Sequence, residues 1–173
     1  MGLRKILNDK DPALHKVCKP VENFDEKLHK LLDDMRETLI DSDGVGLAAP
    51  QVGILRRVVL VDNGKKILEL VNPTLVETSG EQIGAEGCLS VPGKYGLVKR
   101  PNYAKVRAQD RHGNWFETDG EELTARCFCH ELDHLDGIIY TQVRERLLTE
   151  EELMEYWLCA SYLWVRRILR RPV

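Results

Sequence analysis

Residues 130–134 read His-Glu-Leu-Asp-His, and they lie within a helix that we predict over residues 120–136. Residues four positions apart lie on the same face of a helix, so the imidazoles of His130 and His134 can bind one metal ion. Glu131 is then close enough to take a proton from a water on that ion without being a ligand. The pattern predicts a metal site, although an amphipathic helix with exposed polar residues would also fit it.

A catalytic metal site usually has a third protein ligand, and the sequence offers more than one candidate. A third histidine downstream is excluded, because Tyr140 occupies the position at which it would lie. Glu152 or Glu155 could supply a carboxylate from a later helix, as in metallopeptidases that cut internal peptide bonds. Cys88 could supply a thiolate, which binds borderline and soft divalent ions well. Taken alone, these residues leave the choice between a glutamate and Cys88 open.

A segment of small residues over positions 44–53 reads Gly-Val-Gly-Leu-Ala-Ala-Pro-Gln-Val-Gly. Its glycines allow the backbone to approach a ligand closely, and the amide of Gln51 can donate a hydrogen bond. A plain turn between a helix and a strand, with Gln51 in solvent, would have a similar composition. The segment alone does not distinguish a binding loop from such a turn.

The remaining patterns predict an α+β fold in which antiparallel strands pack around the His-bearing helix, with further helices near both ends of the chain. Helical spacing of apolar residues predicts helices over residues 25–40 and 149–170, and Gly137 can end the central helix. The predicted capping pairs are Asn23 with Glu26, Asp119 with Glu122, and Thr149 with Glu152. The predicted strands cover residues 57–61, 66–71, 105–108 and 115–118, with a hairpin turn at 110–114.

The composition indicates one globular domain over residues 1–173. Hydrophobic residues make up 43% and charged residues 31%, and the net charge of −3 provides no basic field for nucleic acid. No apolar stretch is long enough for a membrane span, and the N-terminal residues lack the apolar core of a signal peptide. Five irregularly spaced cysteines do not suggest a disulfide framework. We therefore expect a cytoplasmic protein that binds neither a membrane nor a specific nucleic acid.

The three segments together resemble the motif set of the peptide deformylases. That family has G-hydrophobic-G-hydrophobic-A-A-x-Q, then E-G-C-hydrophobic-S, then H-E-hydrophobic-D-H, and residues 44–51, 86–90 and 130–134 match at every specified position. The resemblance implies one divalent metal ion, usually Fe²⁺, with Zn²⁺, Ni²⁺ or Co²⁺ able to occupy the same site. The implied protein ligands, with water as the fourth, are Cys88, His130 and His134.

The resemblance also implies a reaction: removal of the N-formyl group from the formylmethionine of newly made polypeptides, with release of formate. Glu131 would carry a proton from the attacking water to the departing amine, and the Gln51 side chain and Leu89 backbone N–H would stabilise the oxyanion. The implied substrate pocket comprises Val45, Gly46, Arg126 and Cys127, and the implied supporting residues are Glu86, Arg100 and Asp133. Arg126 is unexpected in an apolar pocket, where its stem could pack while its charge reaches water.

The end of the predicted C-terminal helix is basic, with Arg166, Arg167, Arg170 and Arg171 on an otherwise acidic protein. Such a cluster can stabilise a helix C-terminus, or it can contact the ribosome near the exit tunnel. A different class of protein, a metal or binding module without chemistry, would have no use for Glu131 or Gln51. Cys129 has no predicted role other than filling the interior.

Overall fold

A computed structural model describes residues 2–160 of the chain. Its helices are α1 (Glu26–Asp41), α2 (Glu122–Leu135), α3 (Tyr140–Val143) and α4 (Glu150–Ala160), with short 3-10 helices at Pro12–His15 and Ala49–Val52. Its strands are β1 (Gly46–Ala48), β2 (Val58–Asp62), β3 (Ile67–Ser79), β4 (Gln82–Cys88), β5 (Val91–Arg100), β6 (Tyr103–Gln109), β7 (Trp115–Glu121) and β8 (Arg146–Leu147). This arrangement confirms the predicted α+β class with antiparallel strands.

Within the described residues, the larger sheet has the order β1-β2-β3-β6-β7, and every neighbouring pair is antiparallel. Strand β2 lies between two helices. Val59 and Val61 pack in the cluster that includes α2, whereas Val58 and Leu60 pack in the cluster that includes α1. Alternate residues of a strand point to opposite faces, so a strand covered on both faces reads as an unbroken apolar run. Burying each such side chain contributes about 1.5–3 kcal/mol.

A second sheet has the order β4-β5-β8. Strands β4 and β5 form a hairpin in which Cys88 pairs with Val91, so residues 89 and 90 make the turn. A register shift lies between Gly87 and Cys88, at the end of β4. The irregular end of this hairpin carries Cys88 towards the His-bearing helix α2.

Neither strand of that hairpin was among the strands that the sequence predicts. The segments are rich in Gly, Lys and Arg, residues with weak preference for strands, and they lack a clear alternation of apolar and polar residues. Tertiary packing supports the pairing, because Val91 and Val98 of β5 are buried in one apolar cluster with Tyr140.

The helix boundaries correct two predicted capping pairs. Helix α1 is capped by Asp25, whose side chain accepts hydrogen bonds from the backbone N–H groups of residues 27 and 28, and not by Asn23. Helix α2 begins two residues later than predicted, after Glu121, and has no side-chain cap because residues up to 121 still belong to β7. The third pair is confirmed: Thr149 Oγ1 accepts from the Glu152 N–H, and the Glu152 carboxylate accepts from the Thr149 N–H.

Two predicted turns are also confirmed. Asp110 closes the hairpin between β6 and β7, since its N–H donates to the Asn114 carbonyl over 2.9 Å. Gly137 ends the central helix with a φ of 76°, which glycine adopts without strain.

The rest of the predicted C-terminal helix beyond residue 160, including its four arginines, lies outside the described residues. Among residues 2–160, no helix is both long enough and apolar enough to cross a membrane.

The N-terminal strap, residues 2–9, connects helix α1 to both loops that flank the site described below. The Gly2 N–H and the Arg4 guanidinium donate to the buried carboxylate of Asp34. Further along, the Leu7 N–H donates to the Gln51 carbonyl and the Asp9 N–H donates to the Ser90 carbonyl, each over 2.8 Å. The strap therefore holds the backbones of Gln51 and Ser90 at fixed positions.

We expect Asp34 to contribute stability that is lost in acid. Burial alone would raise its pKa, but hydrogen bonds from Lys30 and Arg4 outweigh burial and lower the pKa. A carboxylate with a lowered pKa stabilises the fold above its unfolded pKa of about 3.9, and this contribution disappears as the pH falls through the folded pKa. Asp34→Asn should lower the free energy of unfolding by about 1–3 kcal/mol at neutral pH.

Urea unfolding of the parent and of Asp34→Asn between pH 7 and pH 3 measures this effect, with the exposed Asp41→Asn as the control. The difference between the parent and Asp34→Asn should shrink as the pH falls. Equal stabilities at pH 7, or a difference that grows in acid, would contradict the assignment. The control should not be destabilised, because a carboxylate at a helix C-terminus is unfavourable.

Candidate metal centre

Helix α2 and the end of β4 bring together three side chains that could hold a metal ion. One ligating atom from each of Cys88, His130 and His134 lies within 4.8 Å of the other two, and no other such group is found among residues 2–160. Cys88 Sγ is 3.3 Å from His134 Nε2, and the two imidazole rings are 5.0 Å apart. Four-residue spacing on α2 therefore places both histidines beside the thiol.

The chemistry of these donors fits a divalent ion. A thiolate and two imidazoles suit Zn²⁺, Fe²⁺, Co²⁺ or Ni²⁺ better than the hard ions that prefer oxygen. His130 and His134 are both buried, and the other ring nitrogen of His130, Nδ1, lies 3.0 Å from Glu86 Oε2. Three electron-pair donors that face one another away from water are stabilised by a cation between them.

Glu86, Arg100 and Asp133 form the support behind His130. The Arg100 guanidinium donates to both carboxylate oxygens of Glu86, over 2.9 and 3.1 Å, and to Asp133 Oδ2 over 2.7 Å. Burial alone would raise the pKa of Glu86, but hydrogen bonds from His130 and Arg100 lower it to about 2. A carboxylate that stays ionised beside a ring nitrogen fixes the orientation of the imidazole. The three residues predicted as support thus lie in one network behind His130.

Glu131 lies in the same site and has a free acceptor. Its side chain is 4% exposed, and Oε2 has no hydrogen-bond partner among the described residues. Burial disfavours the charged form and raises the pKa of Glu131 to about 7. Such a carboxylate can accept a proton and release it again near neutral pH.

Gln51 lies next to Cys88 and comes from a different element than the two histidines. It lies on the 3-10 helix Ala49–Val52, and its Oε1 accepts a hydrogen bond from the Ala48 N–H over 2.8 Å. Its Nε2 points towards Ser90 Oγ at 3.2 Å and Cys88 Sγ at 3.5 Å. The segment over positions 44–53 is therefore part of the site, and Gln51 is buried and not in solvent.

One cleft with a volume of about 700 Å³ joins these groups. The four residues predicted for the substrate pocket, Val45, Gly46, Arg126 and Cys127, all line it. Leu89 and Gln51 line it as well, together with Cys88, His130 and Glu131. The backbone of Gly46 lies so close to Glu131 and Cys127 that a Cβ there would overlap Glu131 Oε1 and come within 2.7 Å of Cys127 Sγ.

Arg126 is half-buried in the cleft, and its guanidinium contacts other residues of the protein. Its charge does not reach water through Nη1, which is buried and has no hydrogen-bond partner among the described residues. Instead, Nη2 donates to Gln82 Oε1 over 2.7 Å, and the guanidinium lies against Gly84, where the absence of a side chain makes room for it. Burial lowers the pKa of Arg126 because the charged form loses solvation. The planar guanidinium is therefore part of the cleft wall.

Two other residues considered in the sequence analysis lie outside the metal group. The Glu152 carboxylate pairs with Arg146 over 2.8 Å and caps α4, so it is not part of the metal group. Cys129 is buried, as predicted, and burial raises the pKa of its thiol to about 11.

Sequence reasoning missed a contact of Tyr140, which it treated only as an absent histidine. The phenol ring stacks on His130 with ring centres 6.0 Å apart, and its hydroxyl donates to the Lys94 carbonyl over 2.8 Å. An aromatic residue six positions after the second histidine was the available signal.

Comparison with known proteins identifies the same family as the motifs. The family described as polypeptide deformylase matches residues 3–149. A peptide deformylase of Agathobacter rectalis is 53% identical over 148 residues, which is 86% of this chain and 94% of the relative. A peptide deformylase of Caldicellulosiruptor bescii is 50% identical over 88% of this chain and 92% of its own length.

Solved structures agree with these relatives. The crystal structure of a peptide deformylase from Thermotoga maritima has a TM-score of 0.81 at 39% identity and covers 83% of this chain and 98% of that one. A Legionella pneumophila peptide deformylase has a TM-score of 0.79 at 40% identity and covers 98% of this chain and 99% of that one. The structural similarity thus extends over most of this chain and of each compared protein.

We expect the protein to bind one equivalent of Co²⁺ with a thiolate-to-cobalt absorption band in the near ultraviolet. The band should disappear in Cys88→Ser, because a serine hydroxyl stays protonated and binds such ions weakly. Titration of the metal-free protein with Co²⁺, followed by absorption, measures both properties. Cys129→Ser is the matched control, since this buried thiol lies outside the metal group, and it should keep the band. A band that persists in Cys88→Ser would assign the thiolate to another cysteine.

Proposed function

The chain belongs to the polypeptide deformylase family, and we propose that it removes the N-formyl group from the formylmethionine of newly made polypeptides and releases formate. The observation that carries this proposal is the approach of Cys88, His130 and His134 to within 4.8 Å beside the free carboxylate oxygen of Glu131. Single-domain organisation over residues 1–173 and a cytoplasmic location, where nascent chains emerge, are parts of the same proposal.

In this proposal, Cys88, His130 and His134 hold one divalent ion, with Fe²⁺ as the expected metal. When bound, such an ion acts as a Lewis acid that polarises the formyl carbonyl and makes the attacking water more acidic. The support for iron is the family resemblance, since a donor set of one sulfur and two nitrogens suits Zn²⁺, Co²⁺ and Ni²⁺ as well. Glu86 and Arg100 keep His130 in the orientation that ligation requires, and Asp133 holds the far side of Arg100.

Glu131 carries the proton. Its free Oε2 is buried in the cleft, where it can accept a proton from the water that attacks the formyl carbon. When the C–N bond breaks, the same oxygen returns the proton to the departing amine of methionine. This transfer leaves formate and a free methionyl N-terminus as products, and Glu131 is again ionised.

Gln51 and Leu89 stabilise the charge that develops on the formyl oxygen. The Gln51 amide directs Nε2 towards Cys88, and Leu89 follows Cys88 in the turn of the hairpin, so its backbone N–H lies beside the same ligand. A donor placed in advance for a developing oxyanion contributes about 3–4 kcal/mol to the stability of the transition state.

The methionine side chain occupies the part of the cleft lined by Val45, Cys127 and the wall formed by Arg126. The backbone of Gly46, at the edge strand β1, offers its peptide groups to the substrate chain. Beyond the active site, the arginines of the C-terminal segment are proposed to contact the ribosome, where formylated chains emerge. The support for that contact is their charge alone, +4 on a chain of net charge −3.

Formate release from a formyl-Met peptide tests the proposed reaction. The metal-loaded parent, purified without oxygen, should release formate and leave the internal peptide bonds intact. Glu131→Gln keeps the size of the side chain but removes the base, and it should lower kcat by about 10²–10⁴-fold. Cys88→Ala should lose both the metal and the activity. Absence of formate from the metal-loaded parent, or cleavage of internal bonds, would overturn the proposal.

Gly46→Ala tests the close approach of β1 to the proton carrier. A Cβ at this position would overlap Glu131 Oε1, so either the carboxylate or the strand must move. We expect kcat/KM for formyl-Met peptides to fall at least about tenfold, which corresponds to about 1.4 kcal/mol. Gly2→Ala is the control, because nothing lies within 4 Å of a Cβ there. Unchanged kinetics of Gly46→Ala would show that the carboxylate does not depend on this contact.

A further inference from the structure

The side-chain amide of Gln51 is held by two partners of different chemistry. Its Oε1 accepts from the Ala48 N–H over 2.8 Å, and its Nε2 donates to Ser90 Oγ over 3.2 Å. A backbone N–H can only donate, so Ala48 determines which end of the amide is the oxygen. The Ser90 hydroxyl oxygen must then be the acceptor, and it binds one of the two hydrogens on Nε2.

The second hydrogen of Nε2 is the one available to the reaction. In the structure it is donated to Cys88 Sγ over 3.5 Å, which directs it to the metal ligand beside which the formyl oxygen would bind. Without an acceptor at Ser90, the amide would be held only through Oε1 by the Ala48 N–H, and rotation about its broad terminal torsion would be less restricted. A donor held at one end only loses part of the preorganisation on which oxyanion stabilisation depends.

The surroundings of Ser90 make it a rigid acceptor. The residue is completely buried in the turn between β4 and β5, two positions after Cys88. Its carbonyl accepts a hydrogen bond from the Asp9 N–H, and the Gln51 carbonyl accepts one from the Leu7 N–H. The N-terminal strap therefore holds the two backbones together, and the side-chain hydrogen bond between Ser90 and Gln51 lies inside that frame.

We infer that Ser90 is a positioning residue for deformylation: its hydroxyl accepts one N–H of Gln51 and thereby directs the other towards the formyl oxygen beside Cys88. This inference rests on the role proposed for Gln51. Ser90 touches neither the substrate nor the metal, and it acts through Gln51 alone. Its removal should therefore affect the transition state and not the binding of the peptide.

A double-mutant cycle tests the inference with four proteins: the parent, Ser90→Ala, Gln51→Ala and the double variant. In the parent background, Ser90→Ala should lower kcat about 5–10-fold with KM nearly unchanged, as expected when an interaction made only in the transition state is weakened. In the Gln51→Ala background, the same substitution should have no further effect, because the group it orients is gone. Ser79→Ala, on the exposed end of β3, is the control for a serine outside the site.

The outcomes separate the inference from the function on which it rests. An equal loss from Ser90→Ala in both backgrounds, or no loss in the parent, would overturn the positioning role. A normal parent with an unaffected Gln51→Ala would overturn the role of Gln51, and no formate from the parent would overturn the proposed function. If thermal melting shows that Ser90→Ala is unfolded, the double-mutant cycle is repeated with Ser90→Cys. This variant nearly keeps the volume of the side chain, but its sulfur accepts hydrogen bonds weakly.

Discussion

Helix α2 packs against the five-stranded sheet, and this packing sets the position of every site residue that the helix carries. Ala125, Phe128, Leu132 and Leu135 are buried in the same cluster as residues of β2, β3 and β6, which fixes the rotation of the helix about its axis. Once that rotation is fixed, His130 and His134 point away from the sheet towards the β4–β5 hairpin, and Glu131 points towards β1. The metal centre is thus a consequence of how an apolar helix face is buried, and its geometry is as rigid as the core beneath it.

Several polar side chains are buried around this centre, and the structure provides partners for most of their atoms. Glu86 is buried with Arg100 and His130, and Arg100 also reaches Asp133, so a buried carboxylate is balanced by a buried guanidinium. Removing one member of such a network leaves an uncompensated charge, and this is strongly destabilising. The exceptions within the described residues include the free oxygen of Glu131 and Nδ1 of His134, both in the metal centre. Unsatisfied groups in a buried site are costly, and the free oxygen of Glu131 is the one to which the proposed reaction gives a use.

Local sequence patterns predicted α1, α2, the start of α4 and the central strands of the larger sheet, because these elements bury apolar residues with a regular period. They failed where the local preference for a strand is weak and tertiary packing stabilises the element. The hairpin of β4 and β5 has little strand preference of its own, yet it delivers Cys88, Leu89 and Ser90. The cap of α2 failed for a related reason, since residues 119–121 pair with β6 and are not free to cap a helix. The N-cap of α1 is Asp25 and not Asn23, which moves the predicted cap by two residues. A shift of this size is expected where several neighbouring residues can cap a helix.

Two histidines and a glutamate can be assigned to one helix from local patterns alone, because the period of an α-helix follows from local backbone geometry. The sequence also specified the order of three motifs, from which the family and the ligand set were inferred. Residue types alone left the third ligand open, whereas the tertiary structure places Cys88, and not Glu152, beside the histidines. Cys88 and the histidines are connected through two sheets and not by a local period. The tertiary structure likewise decided that the charge of Arg126 turns to Gln82 over Gly84 and that Ser90 faces Gln51. Such contacts join residues about 40 positions apart, and no local rule specifies which distant backbone will supply the room or the acceptor.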